Sequence, residues 1–340
     1  MQKELLLIFV AMDSSQACGS PSEKYQALRS WQTRIIRLHP GKPGQCLSCD
    51  LLVADLIFFD GIAVHGGADV RHVQYDALSY IWGSPELKSR IQCNMTELQI
   101  TESLRSALQH LRHHDNSRYL WVDAICIHQD DNKEKAAQVR NMMVIYRKAK
   151  VVVAWLGNGQ QLLNDFFLLC HRASSSEKLT ADMQARLQVG LQNFVQLPYF
   201  YRVWVQQEAY VASRLVFCAK SSSIDSTTVQ LALVHANPSR SAGLSKLPGL
   251  FGLSPVQFLP ESPQAPIIGS DTSNTRKAVD LLEALCITGG LEASNPLDKI
   301  YAVLGVTATP TTVVRKRDKQ SRSVGGPYEL SAERPLFLID

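Results

Sequence analysis

An α/β domain with a parallel sheet is the fold class that this sequence predicts, on three observations. Between residues 75 and 157 short apolar strands alternate with helical patterns, which implies a parallel sheet covered by helices on both faces. The apolar fraction, 45% of 340 residues, is enough to bury a sizeable core. Charged residues make up only 19%, too few for a disordered chain.

The elements follow in order. Residues 1–32 read as a variable leader. The apolar run Leu5 to Met12 is short, Lys3 is neutralised by Glu4, and Asp13 follows at once, so a secretory signal is not expected. Strands are expected from Thr33 and again around Cys46 to Phe59, with a turn at Pro40–Gly44 between them and a glycine-rich loop from Gly61 to Asp69. Tyr75 to Gly83 is a compact apolar strand, and Ile91 to Thr101 has a hairpin-like polar centre at Asn94–Glu97. Thr101 starts a helix on which Leu104, Ala107, Leu108 and Leu111 share a face.

Arg118 to Ile127 is expected as a buried strand. Asp131 and Glu134 then form a capping-box pattern for a helix that buries Val139, Met142, Met143, Tyr146 and Ala149. Val151 to Gly157 is a β-branched strand. Two further helices are expected near 161–173 and 181–197, and another element from Pro198 runs into the strand Arg214 to Ala219. The stretch 236–276 carries six prolines among serines and glycines and reads as a long loop. A helix from Arg276 and the segment Asp298 to Gly305 follow, and 307–340 is a polar tail.

Composition also narrows function. A net charge of +4 points to neither a nucleic-acid binder nor an enzyme of acidic substrates. No run approaches the roughly 18 apolar residues of a membrane span. Eight scattered cysteines, several inside apolar runs, read as reduced buried thiols in the cytoplasm. Cys46 and Cys49 have zinc-type spacing but lack a second pair of ligands, so no metal is expected. Gly157 and Gly159 lack the third glycine of a dinucleotide loop.

Five segments, in order, resemble the heterokaryon incompatibility (HET) domain of filamentous fungi. They are YDALSYIWG at Tyr75–Gly83, LWVDAICIHQ at Leu120–Gln129, MMVIYRKAKVVVAWLG at Met142–Gly157, RVWVQQE at Arg202–Glu208, and DKIYAVLG at Asp298–Gly305. The family usually has Asn where this chain has His128. The resemblance covers about residues 33–306. It implies a role in non-self recognition and programmed cell death, exercised through self-association or protein partners.

The HET domain in turn resembles the Toll/interleukin-receptor (TIR) domain, with a core at about 72–220 and additional helices inserted. RVWVQQEA resembles the TIR motif that pairs Trp with Glu four residues on, which here are Trp204 and Glu208. In TIR domains that hydrolyse NAD this glutamate is catalytic, so the resemblance implies Glu208 as a candidate catalytic carboxylate with NAD as substrate and no bound cofactor. A carboxylate suits that chemistry, because cleavage of the nicotinamide–ribose bond passes through an oxocarbenium-like state. Ser79, Tyr80, Trp82 and Gly83 would lie at the end of the first strand, where ligands gather in open α/β sheets. Asp123 and Trp204 complete the candidate ligand site. Plainer readings stand beside these: Glu208 as an ion-pair partner of Arg202 or Arg214, the tryptophans as core anchors, and Asp123 as a cap for loop backbone.

Overall fold

Alternation of apolar and polar residues makes strands of the chain's first hundred residues. The computed structural model describes residues 25–56, 62–66, 69–158, 161–175, 177–220, 222–236, 291–293, 298–299 and 302. β1 (Gln32–Leu38) and β2 (Ser48–Asp55) pair antiparallel from Gln32↔Asp55 to Leu38↔Cys49. β3 (Ile62–Gly66) and β4 (Asp69–Val73) form the next antiparallel pair. The loop expected from Gly61 to Asp69 is thus a strand over Ile62–Gly66: Ile62 and Ala63 are fully buried and outweigh the glycine signal.

β5 (Asp76–Tyr80) carries the first quoted motif. β6 (Ser89–Cys93) and β7 (Thr96–Ile100) form the expected hairpin, turned by Asn94 with φ of 52°, a left-handed conformation that Asn tolerates. Thr101 caps α1 (Glu102–Leu111), accepting from the Leu104 amide at 3.3 Å, and α1 buries the four residues expected.

The buried strand expected over Arg118–Ile127 is shorter than its apolar run. β8 (Arg118–Trp121) stops, and Asp123–Cys126 is a short helix, α2. The reason is local: the Asp123 carboxylate accepts its neighbour's amide, Ala124 N, at 2.7 Å, and the ladder cannot continue through that turn. Asp131 caps α3 (Asn132–Lys148), accepting from the amides of Lys133 and Glu134. Glu134 does not complete the box. It accepts a two-pronged ion pair from Arg34 on β1, at 2.6 and 2.9 Å, and the His128 amide at 2.7 Å.

β9 (Val151–Trp155), α4 (Gln161–Ser174) and α5 (Ala181–Val195) follow as expected. A 3₁₀ turn (Pro198–Tyr201) and α6 (Val203–Val211) are separated by an extended Arg202. β10 (Leu215–Ala219), β11 (Ser222–Asp225) and α7 (Ser226–Ala236) close the continuous part.

The sheet runs β11-β10-β9-β5-β8-β1-β2-β3-β4, with β6 and β7 attached alongside β2. Its heart is parallel: β10, β9, β5 and β8 run the same way. The sheet is mixed because the N-terminal strands and β11 add antiparallel pairs at both flanks. Short connections such as β1–β2 allow only antiparallel pairing, whereas β8 to β9 has α3 as its crossover.

Phe166 and Phe194 of α4 and α5 pack with Phe200 and Phe217, at centroid distances of 4.9–5.2 Å between Phe194 and each of the others. This cluster seats α4 and α5 on β10, and each buried ring contributes about 1.5–3 kcal/mol.

The expected leader up to residue 24, the proline-rich loop from 237, the helix from Arg276 and the tail from 307 lie outside the described residues. Among the described residues no helix is long and apolar enough to cross a membrane.

Candidate functional site

β5 lies in the middle of the parallel strands, between β9 and β8. Its C-terminal end brings four segments together. Ser79 is 1% exposed and shares its hydroxyl with two partners: the Tyr199 hydroxyl at 2.8 Å and the Glu208 carboxylate. Ser79 has one proton. With Glu208 ionised, the order is therefore Tyr199 donating to Ser79 and Ser79 donating to Glu208. Tyr146 of α3 lies within hydrogen-bond reach of both the Glu208 carboxylate and the Leu78 carbonyl, the latter at 3.1 Å, and its single proton serves one of them at a time.

Glu208 is 3% exposed. Burial favours its neutral form and raises its carboxyl to about 7, against the pull of Arg202 and its hydrogen bonds. Asp123 responds in the same direction: burial raises it, while Arg202, the Trp82 indole, the Ala124 amide and Tyr80 hold it back. The Trp82 Nε1–H donates to Asp123 at 2.8 Å. The Arg202 guanidinium donates to the Tyr80 carbonyl oxygen and attracts both carboxylates. The phenols of Tyr80, Tyr146 and Tyr199 are all pushed up by burial and stay neutral donors.

The structure thus places Ser79, Tyr80, Trp82, Asp123 and Glu208 in one cluster at the strand ends. Trp204, one helical turn before Glu208 on α6, is half-buried and packs against both the main core and a small apolar group of Val203, Leu291 and Ala302. Gly83 is a turn residue: its φ is +73°, and Ser103 ties the preceding Ile81 carbonyl at 2.6 Å. Of the two arginines weighed as ion-pair partners, Arg214 pairs with Asp225 at 2.7 Å, while the direct partner of Glu208 is Ser79. Trp121 and Trp155 are core anchors at 0% and 2% exposure, whereas Trp82 is 37% exposed.

Sequence reasoning missed Tyr199 and the second role of Tyr146. One signal was present for Tyr146: a tyrosine on an apolar helix face needs a partner for its hydroxyl. No spacing announces Tyr199, which reaches Ser79 from 120 residues away. Nor does the four-residue motif reveal that Arg202 lies among carboxylates.

The described residues hold one group with metal-ligand geometry, His128, Asp131 and Glu134, whose donor atoms lie within 4.8 Å of one another. Arg34 already occupies the Glu134 carboxylate, and Asp131 caps α3, so these contacts account for the group. Cys46 is exposed while Cys49 is buried beside Cys93, so the two do not present a common ligand pair. The six described cysteines are free thiols.

These features define a class: an α/β domain with a buried carboxylate network at the C-terminal end of its central parallel strands. Residues 75–208, the span from the first motif to Glu208, match the family described as heterokaryon incompatibility protein (HET). A stretch of 96 residues is 44% identical to "Heterokaryon incompatibility protein 6, OR allele" of Neurospora crassa. That alignment covers 24% of this chain and 14% of the relative's length. No solved structure matches the chain.

Proposed function

We propose that the chain acts in fungal heterokaryon incompatibility, as a cytoplasmic signalling module of non-self recognition that leads to programmed cell death by self-association or by docking on protein partners. The HET match and the Neurospora relative support the biological role. The observation that carries the mechanism is the enclosure of Glu208. At 3% exposure it is spent on Ser79 and Tyr146, and it works as an internal latch joining α6 to β5 and α3.

A second reading has its own support. Glu208, Ser79, Tyr80 and Asp123 converge at the strand ends, where a TIR-like NAD glycohydrolase would hold its catalytic carboxylate. The test is induced expression in a filamentous fungus, scored for hyphal death. Under the assembly reading Glu208→Gln, which keeps size and hydrogen bonds, still kills, and charge changes on exposed helix faces abolish killing. Under the hydrolase reading Glu208→Gln is inert.

A further inference from the structure

Cys49 shares zinc-type spacing with Cys46, but the fold sets it against Cys93. Cys49 of β2 and Cys93 of β6 stand opposite each other where the two strands run parallel, in the register Ser48↔Gln92 and Cys49↔Cys93. Three hydrogen bonds pin that register. Gln92 N–H donates to the Leu47 carbonyl at 2.9 Å, Asn94 N–H to the Cys49 carbonyl at 2.9 Å, and Leu51 N–H to the Asn94 side-chain oxygen at 3.1 Å. Opposed residues of neighbouring strands point to the same face. Both side chains are 1% exposed and belong to the main core, where the two thiols hydrogen-bond each other. Adjacent strands lie about 4.8 Å apart, inside the roughly 4.4–6.8 Å that a disulfide spans between Cα atoms. Cys46 is exposed and does not share that buried face. Cys126, the other sulfur in the neighbourhood, accepts from the Val122 amide at 3.3 Å.

We propose that Cys49 and Cys93 are an oxidation site: a small disulfide of the glutathione class joins them into a protein disulfide that staples β6 to β2 with both strands in their present register. One cysteine, as its thiolate, attacks a sulfur of the small disulfide, forms a mixed disulfide and expels a thiolate. The other attacks the protein sulfur of the mixed disulfide and expels a second thiolate. The two protons given up by the cysteines end on the expelled thiolates, so two protein thiols are oxidised and one small disulfide is reduced to two thiols. The hydrogen bond to Cys93 and then burial push the Cys49 thiol far above its ordinary value. The buried pair is thus a poor nucleophile and a poor metal ligand once folded. The first step belongs to the folding chain, whose thiols are open to solvent, and the native register then selects the partner for the second, intramolecular step. The site is independent of Glu208: β8 and β1 lie between β5 and β2 in the sheet.

The experiment unfolds the full chain in urea with dithiothreitol and refolds it into a buffer of reduced and oxidised glutathione, so that all eight cysteines compete. Remaining thiols are alkylated and the disulfide is located by peptide mass mapping, wild type beside Cys93→Ser and Cys49→Ser. The expected main product is a Cys49–Cys93 link, with two thiols fewer than the reduced chain. The urea midpoint of the oxidised wild type should rise above that of the reduced protein and return to it when dithiothreitol is added. In Cys93→Ser the Cys49 thiol should stay open to alkylation after unfolding, as should Cys93 in Cys49→Ser. A main product that joins Cys49 to Cys46 or Cys126, or no disulfide at Cys49, overturns the proposal. A Cys49–Cys93 link that leaves the urea midpoint unchanged or lowers it also overturns it, because the fold would then not hold the two sulfurs at bridging distance. The mapping decides on the wild type alone if a serine variant fails to fold. Neither readout involves hyphal killing, so a failure here is distinguishable from a failure of the incompatibility reading.

Discussion

Glu208→Gln removes a buried charge while keeping an oxygen that accepts from Ser79. In the unfolded chain the carboxyl titrates near its ordinary value of 4.5, and in the fold near 7. The fold thus binds the proton more tightly, so this group's contribution is fully present below pH 4.5. It is lost as pH rises from 4.5 through 7. The gap between those two values, at about 1.4 kcal/mol per pH unit, is on the order of 3 kcal/mol. Glutamine carries no charge at any pH and escapes that loss. Urea unfolding of both proteins at pH 5, 6, 7 and 8 measures the difference. The variant should equal the wild type within about 1 kcal/mol at pH 5 and exceed it by on the order of 3 kcal/mol at pH 8. A difference that stays flat with pH, or a variant that grows less stable as pH rises, refutes the argument that Glu208 is a desolvated carboxyl held by Ser79.

Other substitutions test other joints. Ser79→Ala leaves Tyr199 and Glu208 without their shared hydroxyl and should cost about 1–3 kcal/mol in chemical denaturation, with the Glu208 titration moving further up. Arg34→Met strips the partner from a mostly buried Glu134 and should destabilise by about 3–5 kcal/mol at neutral pH, narrowing as acid protonates Glu134. Gly190→Ala places a Cβ 2.8 Å from the Phe166 ring where α5 meets α4, and thermal unfolding should report a loss of about 1–3 kcal/mol. Trp82→Phe deletes the indole donor to Asp123, and the Asp123 titration should rise.

The parallel heart was legible because β-branched runs and amphipathic helices alternate between Tyr75 and Gly157 with little conflict. Caps were legible too: Thr101 and Asp131 sit where their oxygens must. The antiparallel flanks were harder. Ile62–Gly66 carries glycine at its end and reads as a loop until its pairing with β4 is seen. The end of β8 was misjudged because apolar continuity through Val122 hides a turn that one aspartate enforces. At the site, Ser79, Asp123 and Glu208 were named from motif resemblance, and they meet. Their connection through Tyr146, Tyr199 and Arg202 was not legible. It depends on which rotamers pack at the end of β5 and on a bridge to Glu292, a contact between sequence-distant segments that no local spacing encodes.

The central claim is that Glu208 serves as an internal latch of an assembly module. Its most direct test is NAD consumption by the purified chain at high concentration, wild type beside Glu208→Ala. The account predicts that NAD stays intact with both proteins. Loss of NAD with release of nicotinamide by the wild type, abolished in Glu208→Ala, would contradict it and make Glu208 the carboxylate of a hydrolase.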